Sequence, residues 1–172
     1  MINFLDISYL KSGNEKQRNA FQVLTSNRIL EKLADFQPIL VGTIPIEIDI
    51  ETSDLDIVCY VQNSEDFKRI LSSHFQDEQY FLISEVKNLC ALKAKLVIGG
   101  FEIEIFGQNI PVEKQDAYRH MLTEHKILID KGEDFRQKII ALKNQGFKTE
   151  PAFAKLLALK GDAYKAMLEL DV

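Results

Sequence analysis

The chain contains no tryptophan, and only two of its 172 residues are cysteine and four proline. Cys59 and Cys90 are isolated from one another, so they form neither the paired spacing of a zinc site nor a disulfide framework. Both are expected to be buried. No stretch approaches the ~18 consecutive apolar residues of a membrane span, and no basic, apolar and small-residue succession of a secretion signal opens the sequence. A cytoplasmic location and no membrane association are therefore expected. Basic residues are also short: Lys plus Arg is 21 against 26 for Asp plus Glu, a formal net charge of −5. Polymeric nucleic acid is held largely by neutralising its phosphates, and no aromatic-basic interleaving is present. The balance disfavours a nucleic-acid partner and suits a nucleotide or small molecule.

There is ample apolar material for a core, 46% of the chain, and its length fits one domain or one domain with a helical appendage. Asp54 and Asp56 lie two apart in a strand predicted over residues 54–61. Strand side chains alternate between faces. Both carboxylates then point one way, and Leu55, Ile57 and Cys59 point into a core. Glu102 and Glu104 repeat the arrangement in a strand over residues 101–106, with Phe101, Ile103 and Ile105 opposite. If the two strands share a sheet, their carboxylates converge. Such crowded charge is stabilised by a cation, and an all-oxygen donor set suits Mg²⁺ or Mn²⁺. A plain wet sheet face is the alternative, and for Glu47 and Asp49 it is as good a reading. Gly42 ends an apolar run where backbone can approach a ligand closely. Thr43 adds a hydroxyl, so the pair could cradle a phosphate.

The remaining pattern is α/β and then α. Ser12 and Glu15 are spaced as a capping box for a helix running to about Ala34. Asn27 is expected at the rim of that helix. Lys16 and Arg18 face either an anionic ligand or solvent. A core strand is expected over residues 39–43. Residues 44–50 alternate isoleucine with Pro45, Glu47 and Asp49, which fits either a half-wet strand or an extended loop over the site. A helix starts at Asn63-Ser64. Strands are expected near residues 80–84 and 91–98, with Gly99-Gly100 as a hairpin turn. Lys93 and Lys95 then face Glu102 and Glu104, either as cross-strand partners or as phosphate contacts. Residues 112–129 read as a helix. Within it Tyr118 could stack on a base and Arg119 could pair with phosphate, although packing and surface roles are the commoner explanation for such residues. Helices near Phe135, Thr149 and Ala163 follow. The expected division is residues 1–111 as an α/β core and residues 112–172 as a helical extension packed on it.

The succession Gly42-Thr43, about a dozen residues, then Ser53-Asp54-Leu55-Asp56-Ile57 resembles the nucleotidyltransferase fold of the DNA polymerase beta superfamily. Over nearly its whole length the chain also resembles the uncharacterised family DUF4269. The shared stretches are V-G-T-I-P, S-D-L-D-I, E-I-F-G-Q, A-Y-R-H and K-T-E-P-A-F-A. The superfamily resemblance implies a mixed sheet with helices on one face, here followed by a helical carboxy-terminal part. It implies divalent metal on Asp54, Asp56 and a third carboxylate, Glu104 in preference to Glu102. It further implies transfer of a nucleoside monophosphate, AMP foremost, from a triphosphate such as ATP to a hydroxyl of a small molecule or protein. One departure stands out: residues 44–51 carry three carboxylates and no basic residue, where relatives of that superfamily wrap the triphosphate. A non-catalytic member binding nucleotide or protein, or an antitoxin-like partner protein, remains the alternative.

Overall fold

A computed structural model describes residues 2–170 of the chain. Among the described residues, five strands form one mixed sheet in the order β1-β2-β5-β4-β3. The strands are β1 (Ile39–Val41), β2 (Leu55–Tyr60), β3 (Gln79–Val86), β4 (Ala91–Ile98) and β5 (Phe101–Gln108). β2 and β5 run parallel, and every other neighbouring pair is antiparallel. The Gly99-Gly100 turn, with both glycines at positive φ, folds β5 back along β4. Glycine adopts that backbone without the steric penalty other residues meet.

The period-two pattern divides the sheet into two faces with different covers. Leu55, Ile57, Cys59, Ile103 and Ile105 face one core with helices α1 (Glu15–Ser26), α2 (Ile29–Lys32) and α3 (Ser64–Phe75). Ala20 and Leu24 of α1 and Phe67, Leu71 and Phe75 of α3 fill it. On the other face, Ile39, Val41 and Val58 belong to a second core built with α4 (Asp116–Lys131), α5 (Glu133–Asn144), α6 (Thr149–Leu156) and α7 (Ala163–Leu168). The carboxy-terminal helices thus cover the β1–β2 side of that face. The charged part on β5 and β4 is left beside a cleft.

Several local expectations change. The first capping box is Asn14 with Gln17, not Ser12 with Glu15. The helix stops at Ser26, where Asn27 donates back to the Val23 carbonyl and Arg28 turns into the left-handed region. The alternating isoleucines of residues 44–50 form turns, not a strand. Ile44, Ile46 and Ile48 are buried, while the loop's carbonyl oxygens are taken by long side chains from outside it. Gln17 donates to Ile44 and Pro45, Lys16 to Ile50 and Glu51, Arg136 to Ile46 and Lys143 to Ile48. Lys16 therefore serves this loop. Cys59 is buried as expected, but Cys90 is exposed, because it ends a short 3-10 turn between β3 and β4 at the open edge of the sheet.

Candidate active site

The β2–β5 pairing brings the acidic motifs together. Asp56 lies beside Glu104 across the parallel ladder, and Asp54 immediately precedes β2. Val41 pairs with Asp56 from the other side, so the chain leaving β1 passes directly over the aspartate. Gly42 there has φ +85°, and a β-carbon on it would stand 2.5 Å from Asp56 Oδ2. The glycine is needed both for the backbone turn and for the close approach. Thr43 Oγ1 lies 3.2 Å from Ser53 Oγ, and the same serine oxygen accepts from Ile50 N at 2.9 Å. These bonds tie the Gly42-Thr43 turn to the entry of β2.

Asp56 is nearly buried and its carboxyl is pushed up to about 7, first by burial and then by the charges of Asp54 and Glu104; Lys143 and Lys95 offset part of the effect. Glu104 is half-buried and is gripped by Lys93 Nζ at 3.4 Å and Lys95 Nζ at 3.3 Å. The two lysines thus take the cross-strand role. Glu102 is exposed at the far end of β5, and Glu104 is the carboxylate that the ladder sets beside Asp56. The donor set fits a hard dication: the oxygens are carboxylate, and their crowding adds to the burial that raises Asp56. In the structure these three carboxylates do not all close to within 4.8 Å of one another, and Glu104 is held by its two lysines.

Two cavities meet at this cluster. One, of about 830 Å³, is lined by Thr43, Ser53, Asp54, Asp56, Lys93, Lys95, Glu104, Lys143, Lys148 and Thr149. The other, of about 400 Å³, runs from Gly42, Asp56 and Glu104 to His120, Glu124 and Glu150 under the carboxy-terminal helices. Tyr118 and Arg119 line neither. Tyr118 packs into the second core and Arg119 pairs with Asp116 at 3.3 Å on the surface. His120, the next residue along α4, is the one that reaches the cavity.

Lys143 is, with Lys148, a cation at the cleft that sequence reasoning missed. It is buried on α5, donates to Ile48 O at 2.7 Å, and is pushed down to about 8 by burial, against the pull of Glu124, Asp49, Asp54 and Glu150. Its surroundings place it between the two ends of the cleft. Position 143 reads as one of several lysines on an amphipathic helix, and nothing local distinguishes it. Glu124 was missed for the same reason, although its four-residue spacing from His120 does put the two on one helix face.

The description of the family whose model matches is "Domain of unknown function (DUF4269)", and the match covers residues 22–170. The chain belongs to this DUF4269 family. No curated protein matches the chain. Among solved structures, this DUF4269 protein is similar to the Cid1 poly(U) polymerase bound to MgGTP, at 11% identity and a TM-score of 0.61. That alignment covers 88% of this chain and 53% of the polymerase. A Cid1 mutant bound to MgATP matches at 10% identity and TM-score 0.60, over 94% and 53% of the two chains. The polymerase core of TRAMP, an RNA surveillance complex, matches at 12% and 0.56, over 94% and 50%. The DUF4269 chain spans about half the length of these proteins. At such low identity the likeness establishes the fold: the DUF4269 chain has a nucleotidyltransferase-like α+β architecture.

Proposed function

We propose that the protein is a metal-dependent nucleotidyltransferase that moves a nucleoside monophosphate, AMP foremost, from a nucleoside triphosphate to a hydroxyl acceptor. The observation that carries this reading is Asp56: a nearly buried carboxylate, pressed by Asp54 and Glu104 and roofed by Gly42. A cluster held this way is costly unless a cation joins it. Asp54, Asp56 and Glu104 would hold Mg²⁺ or Mn²⁺. The bound ion would supply Lewis-acid stabilisation of charge on the phosphoryl oxygens.

The chain's own groups have defined tasks in this scheme. Amides around Gly42-Thr43 and the Thr43 hydroxyl hold the outer phosphates. Lys143 and Lys148, both lining the larger cavity, balance charge on the departing pyrophosphate. Glu104 orients the acceptor hydroxyl and takes its proton. The acceptor oxygen forms the new bond to the α-phosphorus, the α–β phosphoanhydride bond breaks, and pyrophosphate leaves. The structures of Cid1 with MgGTP and MgATP support a magnesium-nucleotide ligand for this fold. The net charge of −5 favours a small, cationic or proteinaceous acceptor over a nucleic acid.

A non-catalytic nucleotide-binding role is the second reading, favoured by one observation: Lys93 and Lys95 both hold Glu104 and so neutralise the third carboxylate. The experiment that tests the proposal incubates the protein with each α-labelled nucleoside triphosphate, Mg²⁺ or Mn²⁺, and a panel of hydroxyl acceptors that includes the protein itself. Label moving into an acceptor supports transfer. Nucleotide binding with no label moved across the panel supports the non-catalytic role instead.

A further inference from the structure

The second wall of the smaller cavity carries a group of a different chemistry. His120 and Glu124 lie on one face of α4, and Glu150 is the second residue of α6. One donor atom from each lies within 4.8 Å of the other two. His120 is 6% exposed and Glu124 3%. Among the described residues, His120 Nδ1 and Glu124 Oε1 meet no hydrogen-bond partner. Nor does Gln115 Oε1, which lines the same cavity and whose amide nitrogen is fixed by donation to Cys59 O and Ile110 O, both at 2.9 Å. Buried polar atoms are rarely left this way in folded proteins, and several together at one cavity call for a shared partner, ordered water or an ion.

The donor types narrow that ligand. An imidazole nitrogen beside two carboxylate oxygens suits zinc and the neighbouring first-row dications better than magnesium, which prefers oxygen alone. Three protein ligands with a fourth position open to a cavity is the arrangement of a zinc that binds water or substrate. Donors bound to zinc sit at about 2.0–2.2 Å, so donor atoms now within 4.8 Å of one another would draw inward onto an ion. Two carboxylates and a neutral imidazole carry the charge that a dication cancels. Lys143, whose charge acts on Glu124, donates to Ile48 O.

We propose that His120, Glu124 and Glu150 form a second metal site, selective for a zinc-class dication, on the wall of the cavity facing Asp56 and Glu104. The site stands whether or not the protein transfers nucleotides.

Untagged, metal-free protein titrated with Co²⁺ and Zn²⁺ tests it, read by calorimetry and by the visible absorption of bound Co²⁺. With excess Mg²⁺ present to fill the carboxylate cluster, the expected result is one tightly bound Co²⁺ per chain with visible bands, displaced by Zn²⁺. Affinity should fall at least about tenfold in His120→Ala and in Glu150→Gln, and stay unchanged in Asp56→Asn. Glu150 is only partly buried, so Glu150→Gln keeps the test valid if His120→Ala fails to fold. Absence of the bands in wild type, or bands that survive both variants, overturns the proposal. So does loss in Asp56→Asn alone, which assigns the ion to the other cluster.

Discussion

A β-carbon at Gly42 would stand 2.5 Å from Oδ2 of Asp56. This one approach joins the end of β1 to the centre of the acidic cluster. It explains why the glycine and the aspartate occur as separate motifs in sequence and as one feature in space. The glycine's positive φ turns the chain over the carboxylate, and Thr43 follows where it can meet Ser53.

Gly42→Ala should therefore damage both fold and site. The substitution combines a left-handed backbone with a clash against Asp56, for a cost of about 1–3 kcal/mol. Urea unfolding should show the loss, and Mn²⁺ titration should show weakened binding as Asp56 is displaced. Wild-type stability in the variant would contradict this geometry.

Asp56 predicts a pH dependence with a definite sign. Its carboxyl rises from 3.8 unfolded to about 7 folded. Between those values the folded chain holds a proton that the unfolded chain has lost. The contribution to stability is therefore fully present below the unfolded value and declines as pH rises through the interval, levelling off above about 7. Metal-free Asp56→Asn should match wild type near the acid end and exceed it by at most about 4 kcal/mol on the alkaline side. Saturating Mg²⁺ or Mn²⁺ should narrow that gap. Denaturant melts across pH make the comparison, and a pH-independent difference would show that Asp56 is not so perturbed.

How far the sequence reveals this site depends on how local each contact is. The Asp54/Asp56 and Glu102/Glu104 alternation was legible because strand periodicity fixes the face, and the Gly99-Gly100 turn fixes the β4–β5 register. The fold followed from the same signals. Residues 44–50 fitted either a strand or a loop, and the loop is what forms, with Ile44, Ile46 and Ile48 buried and its carbonyls bound by Gln17, Arg136 and Lys143. Those contacts span large sequence separations that no local pattern encodes. His120, Glu124, Glu150 and Lys143 were hidden for the same reason: helix periodicity shows an apolar stripe but not which polar neighbours another element will face. Tyr118 and Arg119 were chosen by residue type, while docking of α4 selected His120.

Lys143 should matter to chemistry more than to folding. Lys143→Met keeps the side chain's length and removes one of the two lysine charges that offset the rise of the Asp56 carboxyl, Lys95 supplying the other. If Lys143 balances charge on the leaving group, kcat should fall by about 10²-fold, the scale of losing one oriented donor. The acidic limb of the rate profile should move to higher pH as Asp56 becomes harder to ionise. Steady-state rates across pH measure both. An unchanged limb would place Lys143 outside the reacting centre.

The central claim is that the Asp54–Asp56–Glu104 cluster performs nucleotidyl transfer. The most direct measurement is pyrophosphate release and label transfer from the best α-labelled triphosphate, compared between wild type and Asp56→Asn in the presence of Mg²⁺ or Mn²⁺. The account predicts metal-dependent release and transfer in equal amounts by wild type, and loss of both in a variant that remains folded. Equal turnover by the two proteins, or no metal-dependent release by wild type with any triphosphate and acceptor, would contradict it.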